Sequence, residues 1–262
     1  MTQSESIAIH VDKIDPARAA ALLAVLDLEP KTDVGTELPP FAQHAFFWDP
    51  SLEANLARDG HPVLGGMVPD FGLPVRMWAG GRLRQHTPLR AGVAAERTSR
   101  LVGVTQKTGR SGKLAFVTLR LEIRQRGAPV LTEDQDIVYR EAGALTGAPP
   151  RAETEADERR AFKASAITLF RYSALTFNAH RVHYDADYAR EEGYPGLLVH
   201  GPLMATRLAM MAAERHPGLP GFAFRATAPL YLGDVAWLCR VGNRYWVEGP
   251  GRRICMTAEA GG

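Results

Sequence analysis

Four polar side chains crowd the stretch FRYSALTFNAHRVHYD, residues 170–185: Asn178, His180, His183 and Asp185 fall within eight residues. Imidazole is the side chain whose unperturbed pKa lies near neutrality, so it can both take and give a proton there. Asparagine offers a donor and an acceptor and can orient a water or a carbonyl. This combination suits acid–base chemistry on a bound water. The plainer reading is a polar loop with two exposed histidines. A metal site would need a third ligand, with His180 and His183 joined by Asp185 or His200. No regular spacing supports that, and no metal is expected.

A second stretch, GYPGLLVHGPL (residues 193–203), places His200 and Gly201 where an extended run becomes a long helix. The first amides of a helix lack internal partners and point outward with the positive end of the dipole. Gly201 has no Cβ, so a ligand oxygen can approach its N–H closely. That is the make-up of an oxyanion site. The alternative is that glycine only permits tight packing where the helix enters a sheet. Other constellations are absent. There is no G-x-S-x-G elbow, and no G-x-G-x-x-G follows a strand, so a dinucleotide fold lacks support. KTGRSGKL (residues 107–114) lacks phosphate-loop spacing and reads as a tight hairpin turn, with a basic turn touching a phosphate tail as the alternative.

These residues need elements to hold them. GPLMATRLAMMAAERH, residues 201–216, is made of helix formers, with Pro202 suited to the first turn and Pro217 as a stop. Strands are expected over residues 222–228, 230–241, 243–248 and 252–260. In the first half, residues 15–28 read as a short helix with Ala19, Leu22, Leu23 and Leu26 on its apolar face, ended by Pro30. Residues 31–73 are rich in Pro and Gly and read as mostly irregular. Three strands with short turns between residues 93 and 140 indicate an antiparallel meander. The seam is GALTGAPPRAETEADERR, residues 143–160, a linker by composition. The expected division is residues 1–145, a linker at 146–160, and 161–262. A sheet around a helix, occurring twice, is suggested, although the sequence repeat itself is weak.

The chain has 262 residues, 31 basic and 29 acidic, for a net charge of +2. A nucleic-acid binder would show a stronger basic excess. No apolar run approaches the roughly 18–20 residues of a membrane helix, and mean hydropathy is −0.16. The N-terminus shows no signal-peptide pattern. Cys239 and Cys255 lie in apolar strand-like runs and are expected as buried free thiols in a reducing cytoplasm.

Taken together, the two stretches resemble the MaoC-like hot-dog-fold enoyl-thioester hydratases and dehydratases. That family carries D-x-N-x-x-H on a loop and a glycine at the start of the central helix 18 residues after the histidine. Here His183 and Gly201 keep that spacing. Asn178 stands where the family usually has Asp, and His180 where it usually has Asn. RYSALTFNAHRVHYD and EGYPGLLVHGPL, supported by RMWAGG, KTGRSG and QDIVYR in the first half, look like the branch of itaconyl-CoA and mesaconyl-C4-CoA hydratases. The resemblance implies an α+β fold, a double hot-dog of two modules, each a curved antiparallel sheet wrapped around a central helix. Only the second module would hold the catalytic set. It implies an acyl-CoA thioester as substrate, no cofactor beyond that coenzyme A, and a family in which homo-oligomers are common. His183 would be the base, Gly201 the oxyanion donor, and Asn178 the holder of the water. Since Asn cannot act as a base, the usual division of labour would fall on His183. His180, Tyr172, His200 and Arg207 are expected to bind substrate, with Arg207 or Arg181 meeting a free carboxylate; the alternatives are that both arginines are plain exposed surface residues and that His180 only braces the loop. Rival readings are a 3-hydroxyacyl dehydratase acting on an acyl carrier protein, a hot-dog thioesterase, and a non-catalytic thioester binder.

Overall fold

The computed structural model describes residues 7–109, 112–143 and 148–261. The tip of the expected basic turn, residues 110–111, and part of the expected linker, 144–147, lie outside these. Ten strands form one sheet: β1 (Ile7–Asp12), β2 (Val75–Gln85), β3 (Ala95–Gly109), β4 (Gly112–Gln125), β5 (Ala128–Arg140), β6 (Glu158–Phe162), β7 (Gly221–Ala226), β8 (Ala236–Val241), β9 (Arg244–Glu248) and β10 (Ile254–Ala260). The order is β1-β3-β4-β5-β2-β7-β10-β9-β8-β6, with every pairing antiparallel. From each edge inward the two halves use the same order: first, third, fourth, fifth, second strand. The duplication that the sequence only hints at is therefore explicit in the topology, as a double hot-dog requires.

The halves meet where β2 pairs with β7, Gly80 opposite Arg225 and Arg84 opposite Gly221. Two glycines sit inside β2 for a steric reason. A Cβ on Gly80 would come 2.6 Å from the Phe224 carbonyl oxygen, and one on Gly81 2.4 Å from that of Asp134. The meander β3–β4–β5 forms as its alternation dictates: Ala115, Val117, Leu121 and Ile123 of β4 all turn inward and are buried. Strand β6 begins at Glu158, inside the stretch expected as linker, and β1 and β2 are strands that the sequence reading missed.

Helix α1 (Pro16–Val25) is capped by Asp15, whose side chain accepts from the Arg18 N–H, and it ends short of the expected Leu28. Helix α2 (Ala166–Thr176) was not expected. Its Ser165–Thr168 capping box satisfies the first amides, and left-handed Phe177 ends it. A single short helix, α3 (Ala186–Glu191), follows, capped by Asp185. Helix α4 (Gly201–Ala213) lies where the prolines placed it. It buries Leu203, Met204, Leu208, Ala209 and Met211 over β2, β7, β9 and β10. Residues 230–235 are irregular, so β8 starts later than its apolar run does. Both cysteines are free and buried, as expected. No helix among the described residues is long and apolar enough to cross a membrane.

Candidate active site

The catalytic loop starts where α2 stops. Asn178 Oδ1 accepts the His180 N–H at 3.0 Å, an Asx turn that reverses the chain into the short 3₁₀ turn Arg181–His183. This loop is stitched to the first half of the protein. The Arg181 N–H donates to the Asp59 carbonyl at 2.9 Å. Gly60, at φ +91°, lies so close that an added Cβ would be 2.0 Å from the Ala179 carbonyl oxygen. Trp48 stacks on Phe177 and donates its indole N–H to the Leu175 carbonyl. Asp185 caps α3 and pairs with the Arg181 guanidinium. Neither side chain therefore lines the cavity, which removes Asp185 as a metal ligand and Arg181 as a substrate contact.

His183 Nδ1 lies 3.0 Å from the Leu198 carbonyl oxygen. A carbonyl can only accept, so Nδ1 carries the hydrogen and Nε2 keeps its lone pair. Burial pushes the His183 pKa from 6.5 down to about 4, the Leu198 carbonyl working the other way and nearby His61 adding to the fall. The ring is thus neutral at neutral pH, with its basic nitrogen available. His200 stacks on it at 3.6 Å between centroids and meets Ser173 Oγ through Nε2 at 2.8 Å. His200 is wholly buried. It backs His183 and does not line the cavity, contrary to its expected role as a substrate contact. The next residue, Gly201, opens α4. A Cβ there would meet Trp78 Cε3 at 3.0 Å, a contact tight enough that the indole would have to give way by a few tenths of an ångström.

His183 and Gly201 share one cavity of about 1100 Å³, with Tyr172, Asn178, His180 and Trp78 also in its wall. Arg207 is absent from it. Its Nη1 donates to the Leu26 carbonyl at the end of α1, with Asp27 beside it, so it fastens α4 to α1 and is no substrate contact.

The first half also contributes to this site. His61 Nδ1 donates to Asp59 Oδ2 at 3.0 Å, and Arg76 Nη1 donates to His61 Nε2 at 2.9 Å. The His61 ring lies 4.7 Å from that of His180, which is 5.5 Å from that of His183. Burial, with the Arg76 charge, holds His61 below its ordinary pKa. Burial, with His61 and His183 close by, does the same to His180. Burial alone would raise the Asp59 carboxyl, but hydrogen bonds from the His61 ring and backbone N–H outweigh it and hold the group ionised. Ligating atoms of Asp59, His61 and His180 lie within 4.8 Å of one another, the spacing a metal site uses. The Arg76 guanidinium already bonds His61 Nε2, however, and its charge opposes a cation there. Asp59 and His61 were missed because they lie in the irregular stretch, and Arg76 because it sits in an unexpected strand, all over 100 residues from His180. The one local signal is the D-G-H run at 59–61.

The family model of type 2 hydroxyacyl-thioester dehydratases matches residues 42–232. The chain is 44% identical over 263 residues to the mesaconyl-C(4)-CoA hydratase of Chloroflexus aurantiacus, covering 95% of this chain and 94% of that one. It is 27% identical over 244 residues to the mitochondrial type 2 hydroxyacyl-thioester dehydratase of Schizosaccharomyces pombe, covering 81% of each. A Mycobacterium tuberculosis protein with a double hot-dog fold superposes with a TM-score of 0.63 at 14% identity, over 98% of this chain and 95% of that one.

Proposed function

The chain belongs to the type 2 hydroxyacyl-thioester dehydratase family, hot-dog hydratases and dehydratases, and from that premise we propose that it adds water across the C=C bond of a small unsaturated dicarboxylyl-CoA thioester, of the mesaconyl-C4-CoA or itaconyl-CoA kind. The observation that carries the chemistry is the His183 tautomer: Nδ1 is tied to the Leu198 carbonyl, and a neutral Nε2 is left in the cavity that Gly201 shares.

Water is a weak nucleophile, and electrons pushed out of the C=C bond need somewhere to rest. His183 Nε2 takes a proton from water as the oxygen bonds Cβ. The C=C electrons move onto the thioester oxygen, where the Gly201 N–H at the start of α4 stabilises them; one such donor is worth about 3–4 kcal/mol in barrier. The enolate then collapses, and Cα takes the proton back from the His183 imidazolium. Asn178 Oδ1 accepts the His180 N–H, and its amide N–H group, for which no partner is seen among the described residues, can hold the water oxygen. The sequence needs no cofactor beyond the coenzyme A carried by the substrate. Run backwards, the same atoms dehydrate a 3-hydroxyacyl thioester, the reading favoured by the likeness to the yeast dehydratase.

His183→Ala tests this. Followed at the absorbance of the conjugated thioester, kcat is expected to fall by about two to four orders of magnitude in a folded variant. Retention of most activity would remove His183 from the chemistry.

A further inference from the structure

Four arginines line the cavity: Arg76, Arg97, Arg140 and Arg253. Arg253 is paired with Asp234 at 2.8 Å. Arg140 gives Nη1 to the carbonyls of Glu141 and Gly143. Arg97 gives Nη2 to His10 Nδ1 at 3.3 Å. Arg97 and Arg140, like Arg76, have no carboxylate within ion-pair distance among the described residues, and what singles out Arg76 is its place: its partner His61 lies against His180, next to His183. Among the described residues its one hydrogen-bond partner is the imidazole of His61. A carboxylate partner would cancel its charge and fill its fork. A neutral imidazole fixes the guanidinium while leaving the charge unmatched, with the negative Asp59 one ring further away. Glu192, in the same cavity wall, is held by the Tyr188 hydroxyl, and burial pushes its pKa up, which weakens its claim on a cation.

We propose that Arg76, positioned by the Asp59–His61 pair, receives the free carboxylate of the acyl group and so sets the preference for dicarboxylyl over neutral acyl thioesters. This rests on the proposed substrate class and identifies the residue that reads it. A run of contacts links Arg76 to His183: the guanidinium bonds His61, whose ring lies 4.7 Å from that of His180, itself 5.5 Å from that of His183. The geometry therefore suits a carboxylate borne close to the reacting double bond rather than a distant phosphate of coenzyme A.

Succinyl-CoA and butyryl-CoA test the proposal by calorimetry. They share the coenzyme and a four-carbon chain, differ in one carboxylate, and have no double bond to hydrate. The native protein is expected to bind succinyl-CoA at least about tenfold more tightly, and Arg76→Gln to abolish that preference by weakening succinyl-CoA binding. Arg76→Lys, which keeps the charge without the fork, should retain part of it, and it serves as the readout if the glutamine variant does not fold. His61→Gln, which keeps an acceptor for Arg76, should preserve more of the preference than His61→Leu. No preference in the native protein, or an equal loss for both ligands on changing Arg76, would overturn the assignment; the equal loss would place Arg76 against the coenzyme. A native protein that prefers succinyl-CoA yet hydrates no dicarboxylyl-CoA would instead overturn the proposed reaction and leave the carboxylate site standing.

Discussion

Residue 178 shows how one side chain divides its labour. Its Oδ1 is used up in turning the loop, accepting the His180 N–H, and its amide hydrogens remain for the cavity. An aspartate lacks the amide N–H, but one of its oxygens can make the same turn and the other can hold the water by accepting from it; a leucine can do neither. Asn178→Asp is therefore expected to keep kcat within about tenfold, and Asn178→Leu to lose about a hundredfold or more, because it forfeits the turn and the water contact together. Measured kcat in the reverse order would remove the water-holding role from Asn178. At this scale much of the site is legible from spacing. Asn178, His180, His183, Gly201 and Tyr172 line one cavity. What spacing cannot show is where a side chain turns once its element is packed. Arg207 faces α1, and His200 lies behind His183. Nor can it show partners distant in the chain. His61 reaches His180 only because the glycine beside it allows two backbones to touch.

Elements were legible in proportion to their punctuation. Helix α4 is bracketed by Pro202 and Pro217 and buries most of its residues, so its sequence is unambiguous. Helix α2 escaped because Ile167 and Phe170 are exposed, 65% and 70%, which blurs its apolar face. Strand β1 hid for a similar reason, turning Ile7, Ile9 and Val11 outward, and β2 because glycines interrupt it where it meets β7. The start of α4 carries a prediction of its own. Trp78 stands 3.0 Å from where a Cβ on Gly201 would be, and it is packed against Phe224, so it has little room to retreat. Gly201→Ala should displace the helix N-terminus from its oxyanion position and lower kcat by up to about a hundredfold, within the worth of one donor. Adding Trp78→Leu makes room and should restore part of the loss. An alanine variant as active as the native protein would mean that the Gly201 N–H does not touch the reacting oxygen.

The whole molecule joins two copies of one topology edge to edge, and the cavity draws on both. The second copy supplies the base and the helix end, and the first supplies Trp78, His61 and Arg76. That arrangement packs neutral imidazoles together, with a consequence for stability. His61, His180, His183 and His200 all have folded pKa values below 6.5, with burial the largest cause of each. In the unfolded chain they titrate near 6.5, so below that pH the unfolded state binds protons that the folded state refuses. The stability is complete above pH 6.5 and drains away as pH falls toward the folded values, each group costing up to about 1.4 kcal/mol per pH unit. Buried Glu133 works in a separate window. Burial raises its pKa, but His44 and hydrogen bonds from Gln43 and Gln135 outweigh that, so its contribution holds until pH drops below 4.5. Urea unfolding at pH 7 and pH 5 should therefore differ by on the order of 5 kcal/mol through the histidines alone. His200→Gln, which removes a wholly buried ring behind the reacting one, should flatten the dependence by about one proton whatever it does to the absolute stability. An unfolding free energy equal at the two pH values would mean that the folded rings take up protons over the same range as the unfolded chain, and that burial does not hold them neutral at pH 5.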